Sequence, residues 1–167
     1  MHTEDILRNI RKIIRALNLE SKKLQKEHGL TITQLLVLRR LQVTPQQQVT
    51  QKELCEQLNL SRSTVTGVVD RMVKKNLLER LPKKNDKRTS YVGLTTHSLN
   101  MLSTIPDPIQ VRLIKKLSEA PDAEQKKINE SLYMLTVFLG IDQIEASPLL
   151  MAEEFQENKG NQSGDAV

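Results

Sequence analysis

The stretch TQKELCEQLNLSRSTVTGVVDRMVKKN, residues 50–76, decides the fold of this chain. Thr50 and Ser61 can each accept a hydrogen bond from an unpaired N–H at a helix start, and apolar residues before and after each can pack against one another. This arrangement predicts a short helix over 51–58, a turn at Asn59 and a second helix over 62–76. Two helices joined by so short a turn are typical of a helix-turn-helix.

The helix over 62–76 has two different faces. Its apolar residues recur at the spacing of a single helical stripe. The opposite face is polar and narrow, so we expect it to enter a DNA major groove, with Arg62 reaching guanine acceptors and the hydroxyls close to phosphates or bases. Glycine in a helix interior lowers stability by about 1 kcal/mol relative to alanine. Gly67 is explained by a close approach of the helix to DNA, by a close approach to another helix, or by drift. The predicted DNA-binding residues here are Ser61, Arg62, Ser63, Thr64, Thr66, Arg71 and Lys74.

A charged hairpin follows. Residues 77–81 and 90–94 read as two short strands, with Leu77, Glu79 and Leu81 on one side of the first. We expect the loop between them to lie along a phosphate backbone and to place one guanidinium in a minor groove. Taken alone, the lysines and the arginine of the loop are explained as ordinary surface charges that contact only water. A helix-turn-helix followed by such a hairpin, however, is the pattern of a winged helix. The predicted contacts are Lys83, Lys84, Asn85, Lys87 and Arg88.

Two roles are open for the aspartates next to these cations. Asp70 can orient Arg71 and Asp86 can orient Arg88 through ion pairs. Surface pairs of this kind contribute only about 0 to 1 kcal/mol, so ordinary surface charge is the alternative for both acids.

Charge is unevenly distributed along the chain, which has a net charge of +5. Residues 61–90 carry nine cations and three anions, whereas residues 121–167 carry three cations and nine anions. Cations concentrated in 30 residues attract a polyanion more strongly than cations spread over the chain. The charge pattern therefore predicts a nucleic-acid surface on the same segment as the helix-turn-helix and the hairpin.

The rest of the chain is predicted to be helical, so the fold class is mainly α with a small β-hairpin. We expect Asp107 to cap a helix that begins at Pro108, and Tyr133 and Phe138 to pack in a helix core. The helices outside the helix-turn-helix are predicted over 5–28, 32–43, 97–104, 108–117 and 122–139.

The predicted organisation is one winged-helix domain over 1–141 and an acidic, flexible tail over 142–167. The terminal helices carry more apolar face than one winged helix can cover, so a symmetric partner is expected. A homodimer in turn predicts a pseudo-palindromic operator with half-sites about one helical turn apart. Within the domain, the helix-turn-helix is placed at about 50–76, the wing at about 77–95, and the dimerisation helices at about 4–28 and 96–140.

Other classes of protein find little support in the sequence. The chain has one cysteine, Cys55, which we expect to pack as a core thiol rather than act as a redox sensor. The histidines lack metal-ligand spacing and the glycines form no nucleotide loop, so we predict no metal, no cofactor and no enzyme activity. The most apolar stretch, 131–141, is shorter than the roughly 20 residues of a membrane-spanning helix. With no signal peptide at the N-terminus, a cytoplasmic location is expected.

Taken together, these motifs resemble the MarR family over about residues 30–96. The resemblance implies a dimeric winged-helix transcription regulator whose first and last helices intertwine across a two-fold axis. It places the recognition helix on 61–75 and the wing on 82–90, with Arg88 as the wing arginine and Asp86 as the acid that helps to hold it. The motifs are Leu30-Thr31, Gln34 and Val37-Leu38, then Glu53-Leu54-Cys55, Leu58, Leu60-Ser61, Ser63 to Gly67 and Val69-Asp70-Arg71, then Glu79 to Pro82, Asn85 to Arg88 and Leu94-Thr95.

One segment departs from the family pattern, because Pro106 and Pro108 break a helix that is usually continuous. The broken segment resembles that of a subgroup linked to osmolyte-synthesis operons, which implies target genes of that kind. The resemblance also implies a repressor that a small-molecule effector can release from DNA, although an activator uses the same binding. The alternative is a winged helix that binds an acidic protein partner and has no sequence preference for DNA.

Overall fold

The computed structural model describes residues 2–82 and 90–146, and only the backbone of Pro82 and Ser90. The described part contains seven α-helices, one short 3₁₀ turn at Pro45–Gln47 and three strands. In chain order the elements are α1 (Thr3–His28), α2 (Ile32–Gln42), β1 (Gln48–Thr50), α3 (Gln51–Leu58), α4 (Arg62–Lys74), β2 (Leu78–Pro82), β3 (Ser90–Leu94), α5 (Thr96–Leu102), α6 (Ile109–Glu119) and α7 (Asp122–Phe138).

The helix starts of the first half are set locally, as the sequence predicts. Thr31 and Thr50 each form a reciprocal capping box with the side chain three residues later, and Ser61 accepts a hydrogen bond from the N–H of Thr64 at 3.2 Å. The ends of these helices are also determined by nearby residues. Gly29 ends α1 at φ 65° and Asn59 ends α3 at φ 52°, both in the left-handed region that terminates helices. The predicted helices on either side of the Asn59 turn are therefore confirmed.

The sheet has three strands rather than the predicted two. All pairings are antiparallel, in the order β1-β3-β2. The added strand β1 lies between the predicted helices over 32–43 and 51–58. Three residues are too few to show a period, and only their pairing with β3, Val49 opposite Val92, makes them a strand. The predicted grouping of Glu79 and Leu81 on one side of β2 is kept, and Leu77 lies before the strand. That strand begins at Leu78, which lies opposite Leu94, so the even-numbered residues face the core side.

The core of the lobe surrounds α2. Most of this helix is buried, with Leu35, Val37, Leu38 and Leu41 at most 2 % exposed. Apolar residues of α3, α4, β2 and β3 close around it, and α5 adds Leu102. A helix that is buried along most of its length belongs at the centre of a domain, so α2 is the scaffold on which α3, α4 and the hairpin are positioned.

The outer helices lie largely outside this core. Among the described residues α1 buries only Leu24, and α6 and α7 bury none. The expectation that Tyr133 and Phe138 pack in a core is wrong for the single chain, where they are 63 % and 76 % exposed.

The helix after the proline-rich segment is capped differently from the prediction. It begins at Ile109, with Pro108 as its N-cap and no capping side chain. The carboxylate of Asp107 instead lies 3.2 Å from Nε of Arg39 on α2. Asp107 therefore forms an ion pair across the fold instead of the local cap that the sequence favoured.

Candidate nucleic-acid interface

The helix α4 is held to the lobe by one face and presents the other. Val65, Val68, Val69 and Met72 are at most 2 % exposed and fix the rotation of the helix about its axis. Because residues 3.6 apart share a face, this burial turns the polar residues outward. The exposed residues of this face are Ser61, Arg62, Ser63, Asp70, Arg71 and Lys74, and the half-buried ones are Thr64, Thr66 and Gly67.

Three hydroxyl groups meet at the N-terminus of α4. Ser61 Oγ lies 3.0 Å from Ser63 Oγ and 2.8 Å from Thr64 Oγ1. The first N–H groups of a helix and its dipole favour an anion at this end. Of the predicted hydroxyl contacts, the structure therefore brings these three together where a phosphate oxygen can approach. Thr66 lies apart from them, and its hydroxyl donates to Gln51 Oε1 at 3.5 Å on α3.

Three cations of α4 have no carboxylate partner among residues 2–82 and 90–146. Arg62, Arg71 and Lys74 form no ion pair in this part of the chain, and all three are exposed. Arg71 reaches back along the helix, with Nη1 3.5 Å from the place where a side chain on Gly67 would begin. Unpaired, exposed cations on one helix face are what contacts to phosphates and to guanine require.

Asp70 lies on the same face and is neutralised by the hairpin rather than by its own helix. Its Oδ1 accepts from Nη2 of Arg80 on β2 at 2.5 Å, so the expected pairing of Asp70 with Arg71 is wrong. Arg80 is a residue of the interface that the sequence analysis does not single out. Arg80 lies on the same face of β2 as Leu78, two residues further along the strand. Only the packing of β2 against α4 brings its side chain to Asp70.

Two further contacts fix the surroundings of α4. Lys75, at its C-terminal end, donates from Nζ to the carbonyl of Gly29 at 2.8 Å and so joins the end of α1 to the end of α4. At the other end, α3 is secured by its capping box. Hydrogen bonds from the N–H and the hydroxyl of Thr50 hold the pKa of Glu53 below its ordinary value. A charged Glu53 is therefore the form that caps α3.

The predicted wing follows α4 in the chain. Its predicted contacts, Lys83, Lys84, Asn85, Lys87 and Arg88, and the orienting Asp86, lie outside the described residues. What the structure does give is the base of the hairpin, five residues of each strand in antiparallel register. Strand β2 of that base packs beside α4.

Other kinds of site find no support in the described chain. Within residues 2–82 and 90–146 no cluster of three His, Cys, Asp or Glu side chains could hold a metal ion. Over the same residues, no helix combines the length and the apolar character needed to cross a bilayer. Cys55 is half-buried against the core.

Helices α2 to α4 with the three-stranded sheet form a winged helix, and its outward helix face is cationic. The model of the MarR family matches residues 30–90, which span this lobe from the end of α1 into β3. The predicted resemblance to that family is confirmed over these residues.

Solved structures of MarR-family regulators share the fold. AbsC, a MarR family transcriptional regulator from Streptomyces coelicolor, is 20 % identical with a TM-score of 0.57, over 82 % of this chain and 93 % of AbsC. The S. aureus MepR–DNA complex is 19 % identical with a TM-score of 0.57, over 83 % of this chain and 99 % of MepR. Both likenesses extend beyond residues 30–90 into the outer helices, which confirms the predicted fold class. A comparison with functionally curated proteins finds no match to the chain.

Proposed function

We propose that this chain is a DNA-binding transcription regulator that inserts α4 into the major groove. The observation that carries the proposal is the face of α4, where Arg62, Arg71 and Lys74 are exposed and unpaired within the described residues while buried valines fix the helix rotation. MepR, which shares the fold, has been solved with DNA. A fixed helix with free cations can read base edges, whereas a mobile one would pay the ordering entropy on binding.

We propose that the wing adds contacts beside those of α4. Lys83, Lys84, Asn85 and Lys87 would lie along the phosphate backbone, and Arg88 would enter the minor groove with Asp86 beside it. Arg88→Ala should then weaken binding and reduce its dependence on salt, because fewer counterions are released. Unchanged affinity would refute the assignment of the wing.

We propose that the regulator is a homodimer, because the outer helices leave apolar surface uncovered. On α1, Ile6, Ile13 and Ile14 continue the stripe of the buried Leu24 and are 44 %, 58 % and 51 % exposed. The second half of α7 is apolar on all sides, as expected of a helix that is buried all round. A two-fold arrangement covers the same surface on both copies and presents two α4 helices to half-sites about one turn apart.

Sedimentation velocity tests the dimer. Ile13→Glu places a charge within the proposed interface and should convert a dimer into a folded monomer, since this side chain is already exposed in the single chain. Arg15→Glu lies on the opposite face of the same helix and is the matched control, which should stay dimeric. A wild-type chain that sediments as a monomer would refute the proposal.

Selection from a random duplex pool at physiological salt tests DNA recognition. We expect an enriched inverted repeat. Arg62→Ala should relax the preference at one base position, whereas Lys74→Ala should weaken binding to all sequences and lower the salt slope by about one. Lys126→Ala, an exposed cation on α7, is the matched control. A protein that shows neither base preference nor a steep dependence on salt with duplex DNA would favour the alternative of an adaptor for an acidic protein.

Repression is the proposed outcome of binding, because a dimer that occupies an operator excludes polymerase from overlapping DNA without further contacts. Control of osmolyte-synthesis genes stays a prediction from the resemblance of the broken segment. Sequencing the genomic fragments that the protein retains, followed by a reporter with the motif placed within the promoter, tests both the target and the sign.

We propose that a small-molecule effector binds in the cleft of about 780 Å³ between α2, α3 and α6. Leu36, Val111 and Ile114 supply apolar walls, and Arg40, which donates to Gln57 at 2.7 Å, supplies a cation at the rim. These groups suit a small amphipathic acid. Salicylate should raise the unfolding midpoint and release DNA, and Arg40→Ala should abolish both effects. A midpoint and a DNA affinity that do not respond to such acids would refute the cleft.

A further inference from the structure

The connector between α5 and α6, residues 103–108, joins the winged-helix lobe to the outer helices. Prolines at 106 and 108 remove two N–H donors, so α5 and α6 cannot form one continuous helix. The direction of α6 is therefore not inherited from α5 by helix continuity. Because α6 has no buried residue among those described, its own packing also leaves that direction weakly determined.

Two side chains hold this connector, one from α2 of the lobe and one from the outer helix α1. Arg39 of α2 donates from Nη2 to the carbonyl of Ile105 and from Nη1 to Gln42 at 2.8 Å, and its Nε lies 3.2 Å from Asp107 Oδ1. Ile105 is itself buried at 4 % exposure, which anchors the connector to the core. The Arg39 side chain is only 17 % exposed, so solvent competes little for these contacts.

The second contact comes from α1. Both carboxylate oxygens of Glu20 accept from the N–H of Ile109, at 2.8 Å and 3.1 Å, and Arg112 lies 3.7 Å from the same carboxylate. The N-cap Pro108 offers no capping side chain, so Glu20 performs from another helix the task that a serine or aspartate performs locally. We call the contacts of Arg39 and Glu20 with the connector the double clamp.

We infer that the double clamp fixes the direction of α6 relative to the lobe, and thereby sets the half-site spacing that the regulator accepts. The inference rests on the proposed dimeric DNA binding. The eleven residues of α6 span about 16 Å. A change of about 15° at the connector moves the far end of α6 by about 4 Å, which exceeds one base-pair step of about 3.4 Å. Arg39 and Glu20 are therefore positioning residues for DNA recognition, although neither lies on α4.

The test measures affinity for operators whose half-sites are moved together or apart in single base-pair steps. We expect the wild-type protein to prefer one spacing by at least tenfold over its neighbours. Glu20→Ala with Asp107→Ala removes the Glu20 contact and the Arg39–Asp107 pair, and leaves only the hydrogen bond from Arg39 to the Ile105 carbonyl. This double substitution should flatten the preference to less than threefold. Glu20→Gln keeps an oxygen that accepts from Ile109 N–H and should retain the preference. Glu119→Ala, which removes an exposed acid that pairs with Lys116 on α6 itself, is the matched control.

The outcomes separate a positioning role from a structural one. A structural role would weaken binding to all spacings by the same factor and would overturn the inference, as would a spacing preference that survives the double substitution. If Glu20→Ala lowers the unfolding midpoint, Asp107→Ala alone decides, because its side chain is 51 % exposed and leaves no cavity. A wild-type protein that selects no inverted repeat at all refutes the proposed function, and the inference with it.

Discussion

Replacement of Gly67 by alanine should stabilise the fold and weaken DNA binding. Gly67 lies in mid-helix with no positive φ, and an added Cβ would meet only Arg71 Nη1, at an ordinary contact distance of 3.5 Å. The gain in helix propensity is about 1 kcal/mol, which raises the unfolding midpoint of a chain of this size by roughly 2 to 4 °C. The wild-type sequence therefore gives up stability at this position.

The opposite effect on DNA binding follows from where Gly67 lies. It is on the outward face between Ser63 and Lys74, so a methyl group there stands between the helix backbone and the groove. Losing one base contact costs about 1 to 3 kcal/mol, a fall of about fivefold to 150-fold in affinity. Scanning calorimetry and fluorescence anisotropy with the selected operator measure the two effects.

A control separates helix propensity from position. Ser118→Ala replaces an exposed serine of α6, remote from α4, and should stabilise slightly with no change in affinity. If Gly67→Ala binds DNA as tightly as the wild-type protein, α4 does not approach DNA closely and the assignment of its face is wrong. A lower unfolding midpoint would show that the site is more crowded than its contacts indicate.

Three other substitutions test separate parts of the structure. Glu53→Gln should reduce the loss of stability in acid. Hydrogen bonds from Thr50 lower the pKa of Glu53, so the stability that the charged carboxylate contributes is present above the ordinary pKa and is lost as pH falls through the lowered pKa. Urea unfolding between pH 7 and pH 3 measures this loss. Gly93→Ala should change stability by less than about 1 kcal/mol, because the Cβ would lie 2.9 Å from Leu81 Cδ1, the far end of a half-buried side chain that can turn aside; a midpoint lowered by more than this would contradict the freedom of Leu81. Asp70→Asn should tighten DNA binding severalfold at low salt, because it removes an anion from the cationic face and frees its arginine partner, while stability changes by less than about 1 kcal/mol.

Local signals in the sequence predicted most of the lobe correctly. The hydroxyls of Thr50 and Ser61 identify two helix starts, since a cap needs only the N–H two or three residues later. The period of the apolar residues gives the buried face of α4, because its four most buried positions already share one stripe in the sequence. Interactions of this range are contained in a short window of sequence, so the sequence reports them.

Elements that depend on distant residues were predicted less well. Strand β1 exists because it pairs with β3 more than 40 residues later in the chain. The pairing of Asp70 with Arg80 needs β2 to pack beside α4, and a window around Asp70 favours the neighbouring Arg71 instead. The clamp of Glu20 on Ile109 spans 89 positions. None of these contacts leaves a periodic or capping signal, because each partner is an ordinary polar residue in its own segment.

By itself, then, the sequence determined where the helices of the lobe begin, which face of α4 is buried, and that its cations are concentrated around the helix and the wing. The tertiary structure alone decided the third strand, the neutralisation of Asp70 and the direction in which α6 leaves the lobe. Backbone capping and side-chain periodicity act over a few residues and are encoded locally. The pairing of strands and the meeting of Arg39 and Glu20 with the connector arise only once the core around α2 has brought distant segments together.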